Sequence, residues 1–186
     1  MLLSAAIWLQ ATDLFTYIRL SSYVYAAIMS LHLVAISVFG GMIVLTDLRL
    51  LGWAMRGRPI ADVIDQSRWP KRIGFVCAVT FGFLLFGSKA EEYYYNAFFQ
   101  AKVTLFLLVG VHALIFRPSV YNRAAELDRA PQVPARAKIA AALSLLLWTG
   151  IMIVGRGIGY IEVPFGLHAG LRDVLREALA LIVNRV

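Results

Sequence analysis

His32 is the residue of this chain whose type and position most clearly suggest chemistry. It lies deep in an apolar segment, residues 23–46 (YVYAAIMSLHLVAISVFGGMIVLT), which contains no charged side chain. An ionisable ring costs a few kcal/mol to place in hydrocarbon, so such residues usually mark a functional site. The sequence therefore predicts a functional role for His32. The simpler alternative is a hydrogen bond from the ring to a carbonyl or serine on another helix.

Two further candidates, Lys102 and His112, lie in a later apolar segment that begins after Asn96. If this segment crosses the membrane in the same direction as that of His32, the helical rise gives the depth of each residue. His32 then lies about 15 Å from the start of its helix, Lys102 about 9 Å and His112 about 24 Å. The long side chain of Lys102 shortens its distance to the level of His32. Two alternatives stay open: the Lys102 amine can extend to the headgroups, and His112 can be structural.

Haem is the ligand that best fits this arrangement. An axial imidazole and a second axial donor on a facing helix hold haem iron between them, and helical bundles build such sites in their cores. We therefore predict haem b, with His32 as one axial ligand and Lys102, or failing that His112, as the other. Ligation by lysine requires a neutral amine, which burial favours.

Two more residues are candidates for binding the same group. Gly40 follows His32 by about two helical turns on nearly the same face, where a small residue lets a helix or a flat macrocycle approach closely. Arg156, near the end of the last apolar segment, can form a charge-assisted bond to a propionate. The alternative for Arg156 is an anchor at the membrane interface.

The composition indicates which elements position these residues. The chain has 186 residues, of which 60% are hydrophobic and 16% charged, and its charges cluster between apolar stretches. This pattern predicts an all-α integral membrane four-helix bundle in a single domain. The one cysteine, Cys77, excludes an internal disulfide and a multi-cysteine metal site. The predicted spans are residues 22–46, 72–89, 98–117 and 138–160.

Both ends of the chain are predicted to be amphipathic helices that lie in the plane of the membrane. Residues 1–19 have Leu9, Phe15 and Ile18 on one face, which we expect at the acyl boundary. Residues 168–185 show a similar pattern, which can lie on the membrane or bind a partner subunit.

The basic residues predict the orientation. Eleven of the eighteen lysines and arginines lie in or beside the connections after the first and third spans, which the positive-inside rule places in the cytoplasm. Both termini are then periplasmic, in the inner membrane of a bacterium. Topology and attraction to anionic lipid explain the net charge of +7. No basic face with interleaved aromatic residues indicates a nucleic acid partner.

The stretches around His32 and Lys102 resemble a known family. Residues 30–52 (SLHLVAISVFGGMIVLTDLRLLG) resemble the first membrane helix of the haem-containing membrane protoporphyrinogen oxidase family of bacteria and its copper-resistance D relatives. Residues 99–115 (FQAKVTLFLLVGVHALI) are similar to that family's aromatic–x–x–lysine helix. The resemblance implies that His32 and Lys102 flank haem. The frame as a whole, through LSLLLWTGIMIVGRGIGY, is even closer to an uncharacterised family of small four-helix bacterial membrane proteins.

Three functions of different classes follow. The leading hypothesis is a b-type haem protein that passes electrons to or from a quinone or a partner subunit. The second is a cofactor-free auxiliary or structural subunit of a larger membrane complex. The third, a metal-handling protein of the copper-resistance type, is least supported, because Met29 and Met42 stand about 20 Å apart and no methionine or cysteine–histidine cluster occurs. Acid–base catalysis is not indicated, since the acidic residues are expected in loops and at helix ends. Any enzymatic role is that of a membrane oxidoreductase component.

Overall fold

The structure, a computed structural model, describes residues 2–160, and this part of the chain is helical with no β-strand. The predicted helix at residues 168–185 lies outside the described residues. A 3₁₀ turn, Tyr121–Arg123, precedes α7. In chain order the helices are α1 (Leu2–Gln10), α2 (Asp13–Leu20), α3 (Ser22–Leu51), α4 (Ile60–Ser88), α5 (Ala90–Tyr95), α6 (Ala97–Phe116), α7 (Ala124–Arg129) and α8 (Ala135–Gly157).

Four of these helices, α3, α4, α6 and α8, are long and apolar enough to cross a membrane. Their exposed side chains are largely apolar, as expected for surfaces that face lipid. On α6, for example, the exposed residues include Val103, Leu107, Val111 and Leu114. The prediction of an all-α, multi-pass membrane bundle is confirmed.

The four long helices pack in the order α4, α3, α8 and α6, and the first and last of them do not pack together extensively to close a ring. Helix α3 packs extensively on α4 and on α8, and α8 packs on α6. Among the described residues, α4 and α6 do not pack extensively against each other, and neither do α3 and α6. Glycine brings α4 close to α3, because a Cβ at Gly74 would stand only 2.9 Å from the backbone nitrogen of Phe39. Helices α4 and α6 therefore each pack mainly on another long helix, α4 on α3 and α6 on α8.

Two long helices extend beyond the predicted spans at the end of the bundle that carries the basic connections, called here the basic end. Helix α4 begins at Ile60 rather than near residue 72, because Asp128 accepts hydrogen bonds from the backbone amides of Ile60 (2.6 Å) and Ala61 (2.9 Å). Helix α3 continues to Leu51 and stops at Gly52, whose φ of 75° suits glycine. The basic end is thus well structured, with Leu50 fully buried.

The N-terminal helices differ from their prediction. Phe15 and Ile18 of α2 are buried within the protein, at 5% and 2% exposure, so placing them at the acyl boundary was wrong. The Phe15 ring fills the space that Gly87 of α4 leaves open and packs edge-on against Phe83. The cause is the absence of a side chain at Gly87, which allows an aromatic ring to sit on the helix backbone. Helices α1 and α2 therefore cover the end of the bundle opposite the basic end.

Candidate functional site

His32 lies on the face of α3 that packs against α4. A Cβ at Gly82 would stand 2.9 Å from Cε1 of His32, so the ring occupies the space left by that glycine. Nδ1 of His32 is buried and has no hydrogen-bond partner; the backbone of Ala78 is nearby without reaching hydrogen-bond geometry with it. The simpler alternative, a hydrogen bond from the ring to a carbonyl on another helix, has one candidate partner, the backbone of Ala78 on α4.

Lys102 is directed into the bundle. Its Nζ lies 5.9 Å from the ring centroid of Phe106, one turn further along α6. A Cβ added at Gly155 of α8 would stand 3.7 Å from the same nitrogen. Lys102 is also close enough to His32 for the two side chains to interact electrostatically. The structure therefore brings His32 and Lys102 toward one region, from helices that are not packed extensively on each other.

A layer of aromatic rings lies between this region and the end of the bundle that α1 and α2 cover. Phe86, Tyr93 and Phe99 are stacked, with centroids 5.1–6.3 Å apart. Burial is the largest cause that raises the pKa of Tyr93, which lies in α5 outside the long helices, so its hydroxyl is neutral at physiological pH. This layer screens the His32 region from water at that end.

The other predicted residues lie elsewhere. His112 is buried, and its Nε2 is 2.9 Å from the backbone oxygen of Ala140 on α8. Arg156 is exposed and donates a 3.1 Å hydrogen bond to the hydroxyl of Tyr160. A Cβ at Gly40 would meet no atom within 4 Å, so no helix approaches there, and the close approaches occur at glycines of α4 and α8 instead. His112 thus joins α6 to α8, at a distance from the His32 region.

Sequence reasoning missed a second polar group, at the basic end. Asp47 is 1% exposed; its Oδ1 accepts a 2.8 Å hydrogen bond from Tyr121, and its Oδ2 is buried without a partner. Ser144 of α8 lies beside this pair. Lys71 of α4 donates a 3.1 Å hydrogen bond to Thr46 and interacts electrostatically with Asp47. We call these side chains, Thr46, Asp47, Lys71, Tyr121 and Ser144, the polar cluster.

The polar cluster lines a cavity of about 700 Å³ to which all four long helices contribute. Its remaining walls are mainly apolar and include Phe39, Phe75, Phe106 and Trp148. Phe75 and Phe106 are 52% and 44% exposed, so the cavity opens where α4 and α6 do not pack together. One sequence signal could have pointed to this site: apolar residues continue beyond Asp47 at helical spacing to Leu50, which predicts a buried face rather than a helix end.

Metal binding by side chains alone is not favoured by this arrangement. Within residues 2–160, no group of three or more histidine, cysteine, aspartate or glutamate side chains is arranged to hold a metal ion.

Comparison with known proteins places the chain in a family that has no assigned activity. The profile of a Family of unknown function (DUF6644) matches residues 7–161. Neither the curated proteins nor the solved structures gave a match. The similarity to haem-containing oxidases therefore stays a prediction.

Proposed function

The chain belongs to the DUF6644 family of unknown function, so we propose a function from the geometry of its own bundle: a haem b-binding membrane protein that passes electrons within or beside a membrane redox complex. One observation carries the proposal: His32 has a buried, unpaired ring nitrogen and Lys102 lies near enough to interact with it. Leaving a buried polar atom unpaired costs about 1–3 kcal/mol. A bound group that uses the ring offsets that cost.

The surroundings of His32 suit haem in three respects. Imidazole is a ligand that iron accepts readily. His32 and Lys102 come from α3 and α6, which are not in extensive contact, so the two side chains approach one another from different helices. Burial favours the neutral form of an amine, which is the form that can bind a metal.

The residues of the chain then have separate roles. His32 and Lys102 would hold the iron from two helices, and the aromatic layer of Phe86, Tyr93 and Phe99 excludes water at one end. Haem, when bound, supplies a one-electron redox centre. Arg156 is free of carboxylate partners among the described residues and is available to a propionate. Neither Gly40 nor His112 is required in this arrangement.

The test is a reduced-minus-oxidised optical spectrum of the detergent-purified protein from cells supplied with haem precursor. We expect a b-type spectrum that disappears in His32→Ala. Lys102→Ala is expected to retain haem with an altered spectrum or lower occupancy, whereas Lys138→Ala, an exposed lysine at the start of α8, serves as the matched control. A spectrum lost in His112→Ala but kept in Lys102→Ala would assign His112 as the second ligand.

A featureless spectrum from well-folded protein would contradict the haem proposal. The function left by that outcome is the cofactor-free auxiliary subunit, which binds a larger membrane complex through its apolar surfaces. In that case His32→Ala assembles and purifies like the parent protein, and co-purification of partner subunits becomes the relevant measurement.

We also propose that the basic end faces the cytoplasm of a bacterium and that both termini are periplasmic, on the strength of the positive-inside rule. The test uses single cysteines in a Cys77→Ser background, placed at Gly57 in the α3–α4 connection and at Ser4 in α1, both exposed. A membrane-impermeant maleimide on intact spheroplasts is expected to label the cysteine at position 4 and to leave that at position 57 unlabelled. The reverse pattern would invert the topology.

A further inference from the structure

The cavity at the basic end is lined by two polar side chains, Asp47 and Lys71, that have no role in the proposed haem site. Asp47 is 1% exposed, and its Oδ2 is buried without a partner. Lys71, which also lines the cavity, interacts with Asp47 electrostatically, yet among the described residues no ion pair within 4 Å joins the two. Asp47 and Lys71 therefore line one cavity without forming an ion pair with each other; Ser144 lies beside Asp47, and Lys71 donates a hydrogen bond to Thr46.

The chemistry of these two groups defines the polar part of a ligand. A hydroxyl both accepts a hydrogen bond and donates one, so it can bind the Lys71 ammonium and the Asp47 carboxyl group together. A carbonyl in the same place can accept from Lys71. A ligand that alternates between hydroxyl and carbonyl at one position is a hydroquinone–quinone pair.

The rest of the cavity fits the other parts of such a ligand. Its walls carry the rings of Phe39, Phe75, Phe106 and Trp148, which suit a flat ring. Phe39 packs edge-on against Trp148, with centroids 5.1 Å apart. The exposed wall residues show that the cavity opens between α4 and α6 onto a surface that faces lipid. A hydrocarbon tail can leave through that opening.

An anionic phospholipid fits less well. Of the three arginines that line the cavity, two have partners outside it: Arg68 pairs with Asp65 at 2.9 Å, and the Arg72 guanidinium lies 5.5 Å from the ring centroid of Trp69; the third is Arg117. A phosphodiester group placed between Lys71 and Asp47 would also lie against the Asp47 carboxyl group, to which it cannot donate a hydrogen bond.

We propose that this cavity binds an isoprenoid quinone in its quinone and hydroquinone forms, with the ring between the aromatic walls, a ring oxygen between Lys71 and Asp47, and the tail leaving between α4 and α6. The binding site stands on its own observations. The role of the quinone as the partner with which the protein exchanges electrons rests on the proposed function.

Binding can be measured by titrating purified protein with a benzoquinone that has a decyl tail and following tryptophan fluorescence. Trp148 is the tryptophan that lines the cavity, at 8% exposure. Saturable quenching is expected, and Trp148→Phe is expected to abolish most of it. No saturable quenching in folded protein, or quenching that Trp148→Phe leaves unchanged, would overturn the proposal.

Variants of Asp47 and Lys71 test whether the quinone ring oxygen binds between these two side chains. Asp47→Asn and Lys71→Met are each expected to weaken binding about tenfold, the effect of losing one charge-assisted hydrogen bond. The matched controls are Asp13→Asn and Lys138→Met, which change exposed residues away from the cavity. If both cavity variants bind like the controls, the assignment of Asp47 and Lys71 is wrong.

Two measurements keep the test decisive. If a cavity variant does not fold, an azidoquinone can be photocrosslinked to the wild-type protein; labelled peptides are expected to contain residues 39–47 or 68–75, and labelling confined to other regions would overturn the site. If phosphatidylglycerol suppresses the quenching as effectively as a second quinone, the cavity is a phospholipid site and the proposal fails. The Soret absorbance of the same samples reports haem separately, so loss of one proposal leaves the other readable.

Discussion

The hydroxyl of Tyr121 donates a 2.8 Å hydrogen bond to Oδ1 of Asp47, and this bond joins the segment after α6 to the buried end of α3. Asp47 has a second oxygen without a partner, so the Tyr121 bond satisfies only part of the carboxyl group. Tyr121 and Asp47 both line the cavity at the basic end. Loss of the hydrogen bond between them would affect both the fold and the ligand site.

We expect Tyr121→Phe to destabilise the protein by about 1–3 kcal/mol, because it removes the hydrogen-bond donor to Oδ1 of a buried carboxyl group. Thermal unfolding in a fixed detergent is the measurement. Tyr17→Phe, which removes a hydroxyl from a 62% exposed tyrosine, is the control and should leave the midpoint unchanged. Equal midpoints for the two variants would show that the Tyr121 bond contributes nothing measurable.

The hydrogen bond between Tyr121 and Asp47 could not be predicted from the sequence, whereas the membrane-spanning segments could. Runs of apolar residues long enough to cross a bilayer identify the long helices locally, so the bundle is predictable from composition and spacing. Tyr121 and Asp47 are 74 residues apart in the chain, and no periodicity reports a pairing over that distance. The sequence found His32 because its neighbours are uniformly apolar, and missed Asp47 because a charged residue near the end of an apolar run resembles a helix terminus.

Gly74 and Gly40 offer a matched comparison of glycine in two settings. A Cβ at Gly74 would stand 2.9 Å from the backbone nitrogen of Phe39, whereas a Cβ at Gly40 would have no atom within 4 Å. Gly74→Ala must therefore separate α3 from α4 and is expected to destabilise by about 1–3 kcal/mol, as overpacking does. Gly40→Ala should be neutral or stabilising by up to about 1 kcal/mol, because alanine favours helix.

Thermal unfolding midpoints of these two alanine variants, measured side by side, check the comparison. A midpoint for Gly74→Ala at or above that of Gly40→Ala would contradict the close packing of α4 on α3 at Gly74. The same data bear on Gly40, which the sequence predicts to be a site of close approach and which the structure shows to face open space.

The start of α4 depends on a carboxylate from another helix. Asp128 of α7 accepts hydrogen bonds from the amides of Ile60 and Ala61, at 2.6 and 2.9 Å. Asp128→Ala is expected to cost about 1–2 kcal/mol, because it removes a cap that also complements the helix dipole. Glu126→Ala, which removes a largely exposed carboxylate with a 3.8 Å partner, is the control.

Hydrogen exchange on residues 60–67 is the more specific readout for the Asp128 variant. The first turns of α4 should exchange faster in Asp128→Ala than in Glu126→Ala, while α6 and α8 remain protected. Uniform exchange across all long helices would instead indicate that Asp128 acts on the stability of the whole bundle. The sequence did not reveal this cap, since Asp128 and Ile60 are 68 residues apart.

Gly82 allows a direct structural test of the role of His32. A Cβ added at Gly82 would stand 2.9 Å from Cε1 of the ring. Gly82→Ala must push the ring away from its position, at a cost of about 0.5–1.5 kcal/mol if it leaves its preferred rotamer. If the ring holds haem, this corresponds to a roughly two- to tenfold loss of haem affinity, seen as lower haem per protein in a titration. Gly155→Ala is the matched control, because the Lys102 amine would stand at an ordinary 3.7 Å from the new Cβ. Equal haem affinities in the two variants would mean that the position of the His32 ring does not determine haem binding.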